Sequence, residues 1–391
     1  MTKKKPIVLY TSMNDLSGFG GIETMIPQEI EYLRSKEVEI VLFCPPPKDR
    51  IRIEPDRGTH PRFYPERAME LPWLAKDFSV VVWIFLQAFR LARSRKVVSI
   101  SFSAMDGAGI ALAKICGARI EMMLRIVGPL TYEVKYFAPQ RKLRYRIYAK
   151  MFQWVELLSY FLADSILPVS EFEERNIRSY GIGSWKIRLV RCGIDQTRFD
   201  GHRGSTVLEL PPDSVAVVFV GRFVEKNGPL VIAEAIPHIR SKIRNAVFVF
   251  VGDGPERGAI ESQLSEGIEE GWVVITGFRE DVPEFHALAD VYVGHVSSKV
   301  EGLGQTVFEA MMSGLPVVAG YDDISNKIIK DGVSGILVPK DDPMALANAV
   351  VALLRDEDLR KKIGRAARES ALAELSLDAM LGDVVKNLGM E

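Results

Sequence analysis

Short apolar, β-branched runs alternate with stretches of helical periodicity along almost the whole chain. In the first half the runs Ile7–Thr11, Glu39–Phe43, Val97–Phe102, Glu121–Ile126 and Ser165–Val169 predict strands. Helices are predicted between them, for example at Ile22–Ser35, Gly107–Lys114 and Leu143–Leu162. The second half keeps the rhythm, with strands predicted at Ala216–Val220, Val247–Val251, Val273–Thr276, Val291–Gly294, Pro316–Ala319 and Gly335–Val338. These runs are apolar throughout, as strands covered on both faces are. Strands that alternate with helices in this way predict parallel sheets and a doubly wound α/β class. The stretch Arg198–Pro212 is rich in Gly, Pro and charge, and a fresh strand follows it. It marks the expected boundary, with one domain to about residue 200 and a second after it.

The longest apolar run, Phe78–Phe89, is shorter than the roughly 20 residues a membrane span needs. It predicts a buried helix. The basic N-terminus leads into an apolar run too short for a signal peptide. Hydrophobic residues make up 47% of the 391 and charged residues 26%, which argues against disorder. Fifty basic residues face fifty-one acidic ones, so bulk charge gives no case for nucleic acid. Cys44, Cys116 and Cys192 are too scattered for a metal site and too few for a disulfide framework, which fits a reducing cytoplasm.

Three glycine-rich turns fall where a strand hands over to a helix: Gly18-Phe-Gly20-Gly21-Ile-Glu23, Gly221-Arg222 with Lys226 four residues on, and Gly252-Asp-Gly254-Pro255. Such turns let backbone N–H groups approach an anion, and the next helix adds its positive N-terminus. Ligands of open α/β sheets bind at the carboxyl ends of strands, where all three turns lie. Most glycine turns in such folds are only turns. Arg222 and Lys226 bring charge that can neutralise a diphosphate, or that can simply face water.

The segment Ser297-Ser-Lys-Val-Glu301-Gly-Leu-Gly304-Gln-Thr-Val-Phe-Glu309, closed by Gly314-Leu-Pro316, is the most specific. Glu301 falls in a loop after a strand, Gly302 and Gly304 allow close backbone approach, and a helix opens near Gln305. Two glutamates eight apart arise readily by chance. Their loop–helix–Gly-x-Pro–strand setting gives them meaning. A carboxylate such as Glu309 can accept both hydroxyls of a ribose, and Glu301 would sit nearer a sugar ring. The first N–H groups of the helix would meet phosphates between them.

From Gly20-Gly21-Ile-Glu23 through Val169-Ser170, Gly193-Ile-Asp195, Gly221-Arg222…Lys226, Gly252-Asp-Gly254-Pro255, Thr276-Gly277-Phe278 and Ala289-Asp290 to Glu301…Glu309, the chain resembles the retaining GT-B glycosyltransferases, specifically glycosyltransferase family 4. The resemblance implies two Rossmann-like domains with the donor in the cleft between them. They would span 1–200 and 201–376, with a final helix at 377–391 returning to the first. It implies metal-independent transfer of a hexosyl group, with retention, from a UDP- or GDP-linked sugar to a glycan or lipid-linked acceptor, without a cofactor. Gly20 and Gly21 would face the donor phosphates. Arg222 and Lys226 would bind the diphosphate, Glu309 the ribose and Glu301 the sugar. Gly302, Leu303, Gly304 and Gln305 would line the donor, with Gly221 and Gly254 beside it. The turn Gly277-Phe278-Arg279 would receive the base.

The histidine many relatives carry in the first domain is missing. Asp106 and Arg125 are the candidates to replace it. Asp106 is equally a helix N-cap, and His295 equally a packing residue. The segment Lys135–Lys150 interleaves basic and aromatic residues with no acid, which suits a peripheral membrane surface or an ordinary solvated helix. Two other activities remain open: a nucleotide-sugar epimerase or hydrolase on the same fold, and a non-catalytic nucleotide-sugar binding protein.

Overall fold

A computed structural model of the chain describes residues 7–12, 21–44, 59–63, 73–126, 143–199, 207–299, 304–322 and 325–389. It divides into two compact units, residues 1–192 with 381–391, and residues 193–380. The sequence places the boundary at 200. In the structure Ile194 is held in the second unit, donating to the Leu375 carbonyl at 2.8 Å and accepting from Leu377 N–H at 2.9 Å.

In the first unit, β1 (Ile7–Thr11), β2 (Glu39–Cys44), β3 (Thr59–Phe63), β4 (Val97–Ser101), β5 (Ile120–Ile126) and β6 (Ser165–Pro168) form one sheet. The order is β3-β2-β1-β4-β5-β6, and every pairing is parallel. The crossovers use α1 (Gly21–Ser35), α2 (Trp73–Ala92), α3 (Ala104–Ile115) and α4 (Leu143–Leu162), and α5 (Glu171–Ser179) follows β6.

The second unit repeats the topology. The strands β7 (Val215–Val220), β8 (Ala246–Val251), β9 (Val273–Gly277), β10 (Val291–Gly294), β11 (Val317–Gly320) and β12 (Ile336–Val338) lie in the order β12-β11-β10-β7-β8-β9, again parallel. Its helices include α6 (Pro229–Lys242), α7 (Val282–Leu288), α8 (Gln305–Met312), α9 (Pro343–Arg355) and α10 (Glu357–Leu375). The last helix, α11 (Leu377–Asn387), begins in the second unit and ends in the first.

Both faces of the second sheet are covered, which explains its unbroken apolar strands. Successive side chains alternate faces. Val217, Phe219, Phe248 and Phe250 enter one core layer, while Val218, Val220, Val247 and Val249 enter the other. In each sheet the strand order reverses between the first and fourth strands. At that switch point two crossovers leave in opposite directions and open a crevice at the carboxyl ends.

The run Phe78–Phe89 is a helix, but not a buried one. Val80, Ile84 and Ala88 are buried, whereas Phe78 is 71% and Leu86 45% exposed. The helix at Gly107–Lys114 starts three residues earlier, because Ser103 caps it. Ser103 Oγ accepts from the Asp106 N–H at 3.1 Å and donates to the Asp106 carboxylate at 2.9 Å. Ser103 is therefore a side-chain N-cap, held in place by the carboxylate of Asp106.

Candidate active site

At the switch point of the second unit, β7 ends in Gly221-Arg222 and β10 ends in Gly294-His295. After Arg222 the chain makes a short turn, Glu225–Asn227, closed by Gly228 in the left-handed region (φ 72°). Asn227 fastens this turn by donating to the Arg222 carbonyl at 2.8 Å. Arg222 and Lys226 are both exposed. The turn packs against the one after β8. A Cβ on Gly252 would lie 2.0 Å from the Gly221 carbonyl, and one on Gly254 would lie 2.5 Å from the Phe223 carbonyl. Gly254 thus has a packing reason to be glycine, whatever else it does.

Helix α8 opens beside this turn with Gly304 as its N-cap, and among the described residues no side chain caps it. Its first N–H groups remain available to an anion, reinforced by the helix dipole. Two contacts set the position of this end. The Tyr292 hydroxyl donates to the Val220 carbonyl at 3.2 Å and meets Thr306 Oγ at 2.9 Å, tying the end of β7 to the first turn of α8. The His295 ring lies so close that a Cβ on Gly304 would be 1.9 Å from its Nε2. His295 itself holds φ at 54°, a strained value for a non-glycine residue. Burial pushes its pKa down to about 4, helped by the ammonium groups of Lys226 and Lys340. The ring is neutral near pH 7 and contributes contact, not charge.

Glu309 is one turn into α8 and partly buried. Burial pushes its carboxyl up to about 7, against the opposing pull of Arg198 and a hydrogen bond from Gln305. Gly277 takes φ 74°, and Phe278 beyond it is 64% exposed. The Arg279 guanidinium is held by both oxygens of Asp281, at 2.8 and 2.5 Å, so its charge is already partnered.

Sequence reading missed one part of this region. Lys340, just past β12, pairs with Asp322, just past β11, at 2.6 Å with both largely buried. Both follow strand carboxyl ends, and that rule applied to every strand would have singled them out.

Gly20, Glu301, Gly302 and Leu303 lie outside the described residues. So does the first half of Lys135–Lys150, whose residues 143–150 begin α4. Gly21 is the first residue of α1. Asp106 is 3% exposed at the carboxyl end of β4, with its carboxylate engaged in the α3 cap. Arg125 is no surface group reaching for a sugar: it is fully buried and paired with fully buried Glu29 at 2.5 Å. The Tyr10 hydroxyl donates to the same carboxylate at 3.2 Å. Among the described residues no three His, Cys, Asp or Glu side chains gather as a metal site, and no helix is long and apolar enough to cross a membrane.

Residues 19–198 match the family model described as Glycosyltransferase Family 4, and residues 214–356 match the one described as Glycosyl transferases group 1. The alpha-D-kanosaminyltransferase of Streptomyces kanamyceticus is 32% identical over 183 residues, covering 46% of this chain and 47% of that protein. This chain spans about half the length of such curated relatives. A longer match joins it to the UDP-Gal:alpha-D-GlcNAc-diphosphoundecaprenol alpha-1,3-galactosyltransferase of Escherichia coli, 24% identical over 87% of this chain and 86% of that one. The crystal structure of Anabaena Alr3699/HepE in complex with UDP-glucose shares the fold, with a TM-score of 0.75 at 16% identity over 98% of this chain and all of that one. One half of the chain thus matches the Glycosyltransferase Family 4 model and the other the Glycosyl transferases group 1 model, and the two-sheet architecture is that of the GT-B fold.

Proposed function

We propose that the chain transfers a hexosyl group from a nucleotide-diphosphate sugar, UDP- or GDP-linked, to a glycan or lipid-linked acceptor with retention of configuration. One observation carries the reading: a turn bearing Arg222 and Lys226 and the uncapped N-terminus of α8 occupy neighbouring strand ends at the switch point, with Glu309 one turn further in. That set suits a diphosphate followed by a ribose. Negative charge grows on the leaving nucleotide as the glycosidic bond breaks. Fixed cations and backbone donors lower the barrier by meeting it there. Glu309 holds the ribose, Phe278 offers the base a stacking face, and Glu301 contacts the sugar. The attacking acceptor enters on the face the nucleotide leaves.

Lys226→Ala should lower kcat/KM by about 100- to 1,000-fold while leaving the melting temperature unchanged. Turnover near that of the wild type would remove the diphosphate role. Calorimetric titration with UDP and GDP names the donor class. Release of free sugar with no acceptor-dependent product would replace transfer by hydrolysis.

We also propose a cytoplasmic enzyme peripheral to the membrane. The support is a stripe on α4: Met151, Trp154, Leu158 and Phe161 are 40%, 71%, 46% and 55% exposed on one face, while Phe152, Glu156, Ser159 and Tyr160 are buried on the other. Trp185, 74% exposed, stands near the end of this helix, where Lys186 donates to the Phe161 carbonyl at 2.7 Å. Aromatic side chains with flanking lysines suit an anionic interface. The undecaprenol-linked acceptor named for the Escherichia coli relative fits the same picture. Trp154→Ser with Phe161→Ser should abolish cosedimentation with phosphatidylglycerol vesicles. Equal sedimentation of variant and wild type would place the contact elsewhere.

A further inference from the structure

At the opposite end of the second sheet, where β10 and β11 begin, a cavity of about 590 Å³ opens among Arg198–Phe199, α7, the turn Ser313–Pro316 and α10. This is the size of a small-molecule site. Its charged lining is five cations, Arg198, Arg360, Lys361, Arg365 and Arg368, against two acids, Asp290 and Glu357.

Two of the cations have structural work. Arg360 donates to the carbonyls of Leu353 and Leu354 at the end of α9, at 3.0 and 2.8 Å. Arg368 donates to the Met312 carbonyl at the end of α8 and to the Phe199 carbonyl. The other three are differently placed. Arg198 lies over the Phe199 ring, 5.9 Å from its centroid, and Arg365 reaches only the Lys361 carbonyl, at 3.3 Å. Neither forms a salt bridge with a carboxylate among the described residues. Lys361 has an exposed i,i+4 pair with Glu357, which water and salt screen. Lys361 and Arg365 are one helical turn apart and share a face of α10.

The remaining polar group of the wall is His286, 1% exposed. Its Nδ1 sits 3.1 Å from Ser313 Oγ, and that hydroxyl donates to the Glu309 carbonyl at 2.9 Å. The network therefore puts the ring proton on Nδ1. Nε2 is left as an acceptor with no hydrogen-bond partner among the described residues. Phe199, Leu288 and Leu315 supply apolar wall.

We propose that this cavity binds a small phosphate-bearing molecule, separate from the nucleotide site, and that its occupation weakens nucleotide binding through α8. The phosphate meets Arg198, Lys361 and Arg365. The coupling follows from the fold. The cavity is lined by Ser313, the C-cap of α8, whose hydroxyl donates to the Glu309 carbonyl, and Arg198 is the cation whose field favours the ionised form of Glu309. An anion on Arg198 withdraws that support, and by linkage the nucleotide disfavours the anion equally. The coupling, unlike the binding, rests on the donor-site reading above.

The test is calorimetric titration of the full chain with inorganic phosphate and with glucose 6-phosphate, in wild type, in Lys361→Ala/Arg365→Ala and in Lys226→Ala. Saturable binding lost in the double variant and kept in Lys226→Ala is expected. Tighter binding of the ester assigns a sugar phosphate, and equal binding assigns phosphate itself. No binding of either, or binding lost only in Lys226→Ala, overturns the site. In a second arm, saturating phosphate should weaken nucleotide affinity about 5-fold or more in wild type and not in the double variant. Unchanged affinity overturns the coupling. Failure of any nucleotide to bind would count against the donor site and leave the first arm standing.

Discussion

Glu309→Gln keeps the shape of the side chain and removes its charge. In the native chain burial raises this carboxyl from an ordinary 4.5 to about 7. Each factor of ten in proton affinity is about 1.4 kcal/mol, so native and unfolded chains differ by about 3 kcal/mol in the cost of ionising it. Glu309 is only partly shielded, which makes that figure a ceiling. Between pH 4.5 and 7 the native chain holds this proton and the unfolded chain has lost it. Stability from this group is therefore present at low pH, falls through that window and is gone by pH 8. Glutamine carries no such dependence. The variant should match wild type near pH 5 and exceed it at pH 8, by roughly 2–4 °C in Tm for each kcal/mol recovered in a domain of this size. Calorimetric melts of both proteins from pH 5 to pH 8 measure the divergence. Curves that stay parallel, or a variant less stable at pH 8, would refute the burial argument. Nucleotide titrations on the same samples read the other side of the trade. Wild-type affinity should rise from pH 6 to pH 8 as Glu309 ionises and accepts the ribose hydroxyls, whereas the variant binds weakly at every pH.

Gly304→Ala should displace the start of α8, because its methyl would lie 1.9 Å from the His295 ring. Overpacking of this kind costs about 1–3 kcal/mol, read as weaker nucleotide binding, and His295→Gly in the same chain should restore part of it. No recovery would break the link between the two residues. Arg125→Met leaves Glu29 buried without its partner and should cost about 3–5 kcal/mol in urea denaturation, with Arg125→Met/Glu29→Met recovering most of the loss. A single variant as stable as wild type would show that the pair contributes no such balance.

The strands the sequence made legible are those sealed on both faces, since an unbroken apolar run has few other readings. β3 escaped because Thr-His-Pro-Arg-Phe carries no such run. It pairs only with β2, at the sheet edge, where a proline such as Pro61 is tolerated. The glycine turns and the α8 segment were legible because a turn, a cap and a helix start are local. Arg125 was not. Its partner Glu29 lies on α1, brought under β5 by the crossover, so the charge that looked available for a sugar was already neutralised. Lys340 and Asp322 were each legible as residues just past a strand end, but their pairing was not, since it exists only once β11 and β12 lie side by side.

The return of the chain to its first unit after completing the second bears on how the molecule is made. Residues from Leu381 onward belong with the first unit, and Leu381, Val384 and Leu388 are buried. A ribosome adds about 5–20 residues per second, so synthesis of the intervening unit takes roughly 10–40 s. During that interval the first unit exists without its last helix. Its completion waits on the C-terminus, so a truncation there acts on the unit made first.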